Sequence, residues 1–179
     1  MLDTTTLNLA MTPAWQEHLS PGDIVSFRFP VRLAMPGDTP KPRPCLVLEI
    51  EEMAGQRFAL LAYGTSSPRR ANCGEEVHAL NAEDYAAFGL DRPTRFIGAR
   101  RMMVAMNSAG FVLSCDIASP VLGKLSGGPA DRLRTVRARI RQMRAATAER
   151  LADRRRQRTA NLVVERRRTK RFTRVGGEV

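Results

Sequence analysis

Gly127-Gly128-Pro129 divides this 179-residue chain into two stretches of opposite character. Two glycines followed by a proline break any regular element that reaches them. Ahead of the break, apolar segments are short and punctuated by turn residues. Behind it, arginines recur around an apolar stripe of helical spacing. The charge divides at the same place. Met1 to Gly128 carries 12 Lys+Arg against 13 Asp+Glu, a net of −1, whereas Pro129 to Val179 carries 17 against 5, a net of +12. The sequence therefore predicts three segments. Residues 1–19 form an arm with a short helix, residues 20–128 a near-neutral folded domain, and residues 129–179 a basic helix that frays beyond Asp153 into a disordered tail. A hydrophobic share of 43% suffices for a core in the middle segment.

Within that segment the periodicity is that of strands. Ile24 to Phe29 alternates apolar and polar residues, as a half-buried strand does. Arg43 to about Glu51 is the second strand; Cys45 to Leu48 are apolar, and Val47 and Ile50 are β-branched. Ala54-Gly55-Gln56 is a hairpin turn, and Arg57 to Tyr63 is a third strand, apolar enough to be central. Glu75 to Leu80 alternates again. Asn81 to Leu90 reads as a short helix stopped by Gly89. Thr94 to Gly98 is a strand, with Arg100 to Met106 another or its continuation. Phe111 to Cys115 is a short strand, and Asp116 to Gly123 a loop. Trp15 and Leu19 share a face of a short N-terminal helix and should dock on the domain. Short strands with turns between them predict a mainly β fold, a small antiparallel barrel with a short helical insertion. After the break, Leu133, Val136, Ile140, Met143, Thr147 and Leu151 form the apolar stripe of the helix.

Several classes are set aside by composition. No apolar run approaches the roughly 20 residues of a membrane helix. The start, Met1-Leu2-Asp3-Thr4-Thr5-Thr6, lacks the basic and apolar blocks of a signal peptide, which predicts a cytoplasmic protein. Cys45, Cys73 and Cys115 are odd in number and far apart, so neither a zinc site nor a disulfide framework is expected. No metal-ligand cluster and no cofactor motif is present. The basic appendage predicts sequence-independent contact with a polyanion.

Arg43 sits between Pro42 and Pro44 at the mouth of the second strand. Each proline removes a donor and holds the preceding residue extended, so the cation is placed stiffly. If the second and third strands pair through Ala54-Gly55, Arg43 meets Thr65-Ser66 at one rim. A guanidinium beside hydroxyls and loop amides makes a phosphate cradle. Phosphodiester chemistry without metal ligands leaves attack by the substrate's own 2′-hydroxyl, assisted by a base, an acid and a cation.

Pro21-Gly22-Asp23-Ile24-Val25, then Arg43-Pro44-Cys45-Leu46-Val47-Leu48, then Thr65-Ser66, with Glu76-Val77 beyond, in that order, resemble the MazF/PemK toxins. The resemblance covers roughly Ser20 to Phe111 and the early part of the following helix. It implies an SH3-like barrel, a homodimer, and metal-independent cleavage of single-stranded RNA to a 2′,3′-cyclic phosphate and a 5′-hydroxyl. It also implies an acidic antitoxin as partner. Arg43 corresponds to the family's Arg-Pro arginine, in phosphate stabilisation and proton transfer, and Thr65 to its active-site threonine. Ser66 would help Thr65 hold a non-bridging oxygen. Arg69, Arg70 and Arg100 are further candidate RNA contacts, and Val31–Pro40 fits the family's RNA-contacting first loop in position. Where many members carry an acid or other polar residues on a late strand, this chain has Ala99-Arg100-Arg101.

Two other readings stand beside the enzyme. One is an inactive barrel that binds nucleic acid through the basic appendage. The other is an assembly protein whose helix pairs through Leu133, Val136, Ile140 and Met143.

Overall fold

The computed structural model describes residues 14–30, 39–68, 74–114 and 118–172, with side chains from 15 to 159. The chain is mainly β, with a long C-terminal helix. Six strands, β1 (Asp23–Phe27), β2 (Arg43–Met53), β3 (Gln56–Thr65), β4 (Glu76–Ala79), β5 (Thr94–Ala105) and β6 (Val121–Lys124), form one sheet in the order β4-β5-β3-β2-β1-β6. Every pairing is antiparallel, and the sheet curls into a half-barrel.

β2 and β3 read as continuous apolar runs because both of their faces are covered. Cys45 to Leu48 and Ala59 to Tyr63 are all buried. They are joined at Ala54-Gly55, a two-residue turn in which both residues have positive φ, +52° and +75°. One face gathers Val25, Phe27, Cys45, Val47, Leu61 and Tyr63. It is covered by α1 (Ala14–His18) and by Phe111. Trp15 lies 5.0 Å from Phe111 and Phe27 lies 5.1 Å from it, centroid to centroid. Arg57 fixes α1 by donating to the carbonyls of Gln16 at 2.5 Å, Glu17 at 2.8 Å and Leu19 at 3.4 Å, groups that a helix end leaves without partners.

Strand alternation turns Ile24, Leu46 and Phe96, all fully buried, to the other face. Two elements cover it. α2 (Ala82–Ala87) ends at Phe88, also fully buried. The first turns of α3 (Gly127–Phe172) bring Val136 against Gly98 and Leu133 against Gly22.

The break at Gly127-Gly128-Pro129 is thus the first turn of a helix, where a missing proline donor costs nothing. It does not separate appendage from domain. Leu133 and Val136 are buried, Arg132 donates to the carbonyls of Glu76 (3.0 Å) and Gly74 (2.9 Å), and Arg137 pairs with Glu49 at 2.6 Å. Two compact units result, Met1–Arg137 and Ala138–Val179. Leu133 and Val136 are used within the first unit, so they are not free for the helix pairing that the stripe suggested. In the second unit the helix continues to Phe172, past the expected fraying point, with Met143 and Leu151 exposed.

Two elements differ from the sequence reading. Val121–Lys124, expected as loop, is strand β6, paired to β1 with Lys124 opposite Asp23 and bonded to it at 3.2 Å. Phe111, expected to open a short strand to Cys115, makes only an isolated bridge to Phe27. Of the two alternatives for Arg100 onward, the structure has the continuation: Thr94–Ala105 is one strand. Among the described residues, no helix is long and apolar enough to cross a membrane.

Candidate functional site

Arg43 opens β2, opposite Phe27 of β1. The β2–β3 register pairs Cys45 with Tyr63, and extending it by two residues brings Arg43 opposite Thr65. The strands close tightly there because Gly64 faces Pro44. A Cβ on Gly64 would lie 2.2 Å from the Pro44 carbonyl oxygen, so no side chain fits. Thr65 ends β3, and its Oγ1 accepts a hydrogen bond from the Ser67 amide at 3.1 Å, turning the chain out of the sheet. Arg43, Thr65 and Ser66 line one cavity of about 390 Å³, together with Ser26, Asp91, Arg92 and Thr94.

The far wall of that cavity comes from the end of α2. Gly89 has φ +70°; its amide donates to Ala86 and the Leu90 amide to Tyr85, the paired bonds of a left-handed helix stop. The turn packs directly on β6, where a Cβ on Gly89 would sit 2.0 Å from the Leu122 carbonyl oxygen. Residues 90–92 are thereby delivered to the rim across from Arg43, and Thr94 Oγ1 donates to the Arg92 carbonyl at 3.0 Å. Sequence reasoning missed Asp91 and Arg92. It read Asn81 to Leu90 as a short helix stopped by Gly89 and gave the residues that follow the stop no role. The one available signal was a carboxylate and a guanidinium placed just after a glycine stop; nothing in the spacing said which rim they reach.

Asp91 is the carboxylate of this wall, and neither it nor Arg43 has an ion-pair partner among the described residues. The cavity therefore presents two guanidiniums, one carboxylate and several hydroxyls. Such a set suits an anion that also has a proton to give or take.

Arg100 lies outside the cavity lining. Its guanidinium carbon stands 4.0 Å from the centroid of the Tyr63 ring, and that of Arg43 stands 5.8 Å from the same ring. Arg69 and Arg70 lie outside the described residues, as do residues 31–38 of the expected RNA-contacting loop. Cys45 is wholly buried behind Arg43, and burial pushes its thiol up to about 12, against small opposing effects from the Gly64 backbone and Arg43. That thiol is no nucleophile at neutral pH.

A larger cavity of about 550 Å³ lies along β4, lined by Glu76, His78, Asp84 and Arg132 among others. Its polar groups are turned on one another. Glu76 holds His78 at 2.9 Å and Arg95 at 3.4 Å, while Arg132 is occupied by backbone carbonyls. The smaller cavity, with its uncompensated Arg43 and Asp91, is the better candidate. Among the described residues, no group of three His, Cys, Asp or Glu side chains is placed to hold a metal ion. No known protein family matches this chain, and no characterised protein matches it in sequence.

Proposed function

We propose that this chain is a MazF/PemK-like endoribonuclease with an SH3-like barrel, the toxin half of a toxin–antitoxin pair. It acts as a homodimer on single-stranded RNA, without a metal, and is restrained by an acidic antitoxin. The observation that carries this reading is the shared cavity of Arg43, Thr65 and Asp91. Asp91 takes the proton of the 2′-hydroxyl as that oxygen attacks the adjacent phosphorus. Arg43 neutralises the pentacovalent phosphate, and the Thr65 hydroxyl donates to a non-bridging oxygen. The 5′-oxygen leaves and is protonated by water, giving a 2′,3′-cyclic phosphate and a 5′-hydroxyl.

The test is incubation of the full-length protein with single-stranded RNA in EDTA. Cleavage with a cyclic-phosphate end is expected. Arg43→Ala and Thr65→Val should abolish it while thermal melting stays close to that of the parent. Retained cleavage in both variants refutes the site. A second reading, a binding module without cleavage, is favoured by the exposed arginines Arg154, Arg155 and Arg156 of the helix. It predicts salt-sensitive RNA binding with intact RNA recovered.

A further inference from the structure

β5 carries an irregularity opposite the β2–β3 pair. Ala62 pairs with Arg101, yet the next residue, Tyr63, pairs with Ile97. Gly98, Ala99 and Arg100 are thrown out of the ladder between them. Such bulges re-aim side chains. This one is tied down: Arg101 donates to the Gly98 carbonyl at 2.6 Å and to Glu75 at 3.3 Å, and the Gly98 amide donates to the Glu75 carbonyl at 2.8 Å.

The bulge lays Arg100 over Tyr63. Tyr63 is only 7% exposed, so its ring is not itself open to a ligand. Arg100 is exposed, and its guanidinium carbon stands 5.7 Å from the centroid of the Phe29 ring and 4.0 Å from that of Tyr63. Arg43 approaches the same ring from the cavity, and neither arginine has a carboxylate partner among the described residues. Two like charges gathered on one ring repel, and the ring's own attraction for each is small. A polyanion would relieve the repulsion. A guanidinium is also planar and weakly hydrated, and unstacked bases pack on its face.

We propose that Tyr63 and Arg100 form a base-stacking subsite adjoining the cavity, in which the outer face of Arg100 takes an unpaired base while Arg43 holds the neighbouring phosphate of the same strand. This rests on the RNA reading for the class of polymer, and adds that the substrate is bound as at least two consecutive, unpaired nucleotides. The flat face of Arg100 is what matters, beyond its charge.

The experiment uses the full-length protein and short single-stranded RNAs whose riboses are all 2′-O-methylated, so that no 2′-hydroxyl can attack. A 2-aminopurine is placed at each position in turn. At one position its fluorescence should change on binding. Arg100→Ala should remove that change and weaken binding roughly tenfold, the scale of one base stack. Arg100→Lys should fail to restore either. Parental signal and affinity in Arg100→Lys would reduce Arg100 to a simple charge and overturn the proposal. So would equal binding of the corresponding duplex, or no binding by the parent. Because these RNAs cannot be cut, loss of the stacking signal is separate from loss of cleavage. A protein that stacks the base but cleaves no ordinary RNA refutes the nuclease reading alone.

Discussion

Ala54 holds a φ of +52° in the hairpin turn between β2 and β3, a region that a residue with a Cβ enters at a cost of about 1–2 kcal/mol. Asparagine followed by glycine suits both positions of such a turn. Ala54→Asn should therefore raise stability by about 1 kcal/mol, read as a higher urea midpoint at unchanged slope. At Cys45 the folded thiol titrates near 12 against 9.0 for a free one. With the folded value raised, the neutral thiol's contribution is complete below pH 9 and is lost as pH rises from there towards 12. The difference in stability between the parent and Cys45→Ala should be flat to pH 9 and then shrink, and iodoacetamide should label Cys45 only as fast as the protein unfolds. At Asp91, removing the carboxylate removes the proposed base, so Asp91→Asn should lower cleavage by about 10²–10⁴-fold with little loss of RNA affinity. The residues of the cavity differ in how legible they were. Arg43 and Thr65-Ser66 could be brought to one rim from sequence because a two-residue turn sets the register to within the one-residue shift between Val47 and Glu49, which brings Arg43 level with Thr65. Asp91 could not, because its place depends on how a helix end packs against β6, a contact remote in sequence that carries no periodicity.

Elements were legible where a local pattern and the tertiary environment agree. β2 and β3 have continuous apolar runs because both faces are buried, and α2 stops at a glycine whose positive φ makes the stop possible. β6 was hidden: Val121-Leu122-Gly123-Lys124 is short, contains a glycine and is held to β1 partly by the Lys124–Asp23 contact. The β5 bulge was hidden too, since a strand with three residues out of register has the same composition as one without. Bulge and helix stop are nevertheless what position the arginines and Asp91. Gly89→Ala tests that directly. It imposes the left-handed penalty and drives a methyl into the Leu122 carbonyl, for a combined loss of at least about 2 kcal/mol. Because the same turn carries Asp91 and Arg92, cleavage should fall further than in a variant equally destabilised elsewhere, such as Val47→Ala. Equal activities in the two variants, compared well below their melting temperatures, would show that the turn does not set the site.

At the scale of the whole molecule, charge and fold divide at different places. The charge changes at Gly128, but the first unit runs to Arg137 and contains Arg132, Leu133 and Val136. A chain ended after Gly128 loses the buried side chains of Leu133 and Val136 from the first unit, each worth about 2–5 kcal/mol by analogy with large-to-small core changes, and the Arg132 bonds along β4. It should unfold, and its failure to bind RNA would say nothing about the appendage. Substitution in the second unit avoids this. Residues 138–179 carry 14 Lys+Arg against 4 Asp+Glu, and Arg154, Arg155, Arg156 and Arg158 lie exposed on its helix. Replacing these four by glutamine preserves helix propensity and removes four charges. If the helix meets RNA phosphates, the slope of log K against log salt should flatten by about 0.7 for each phosphate no longer neutralised, while cleavage at saturating RNA is unchanged. An unchanged slope assigns the salt dependence to Arg43, Arg92 and Arg100 in the first unit. A loss of cleavage at saturation would mean that the helix does more than gather substrate.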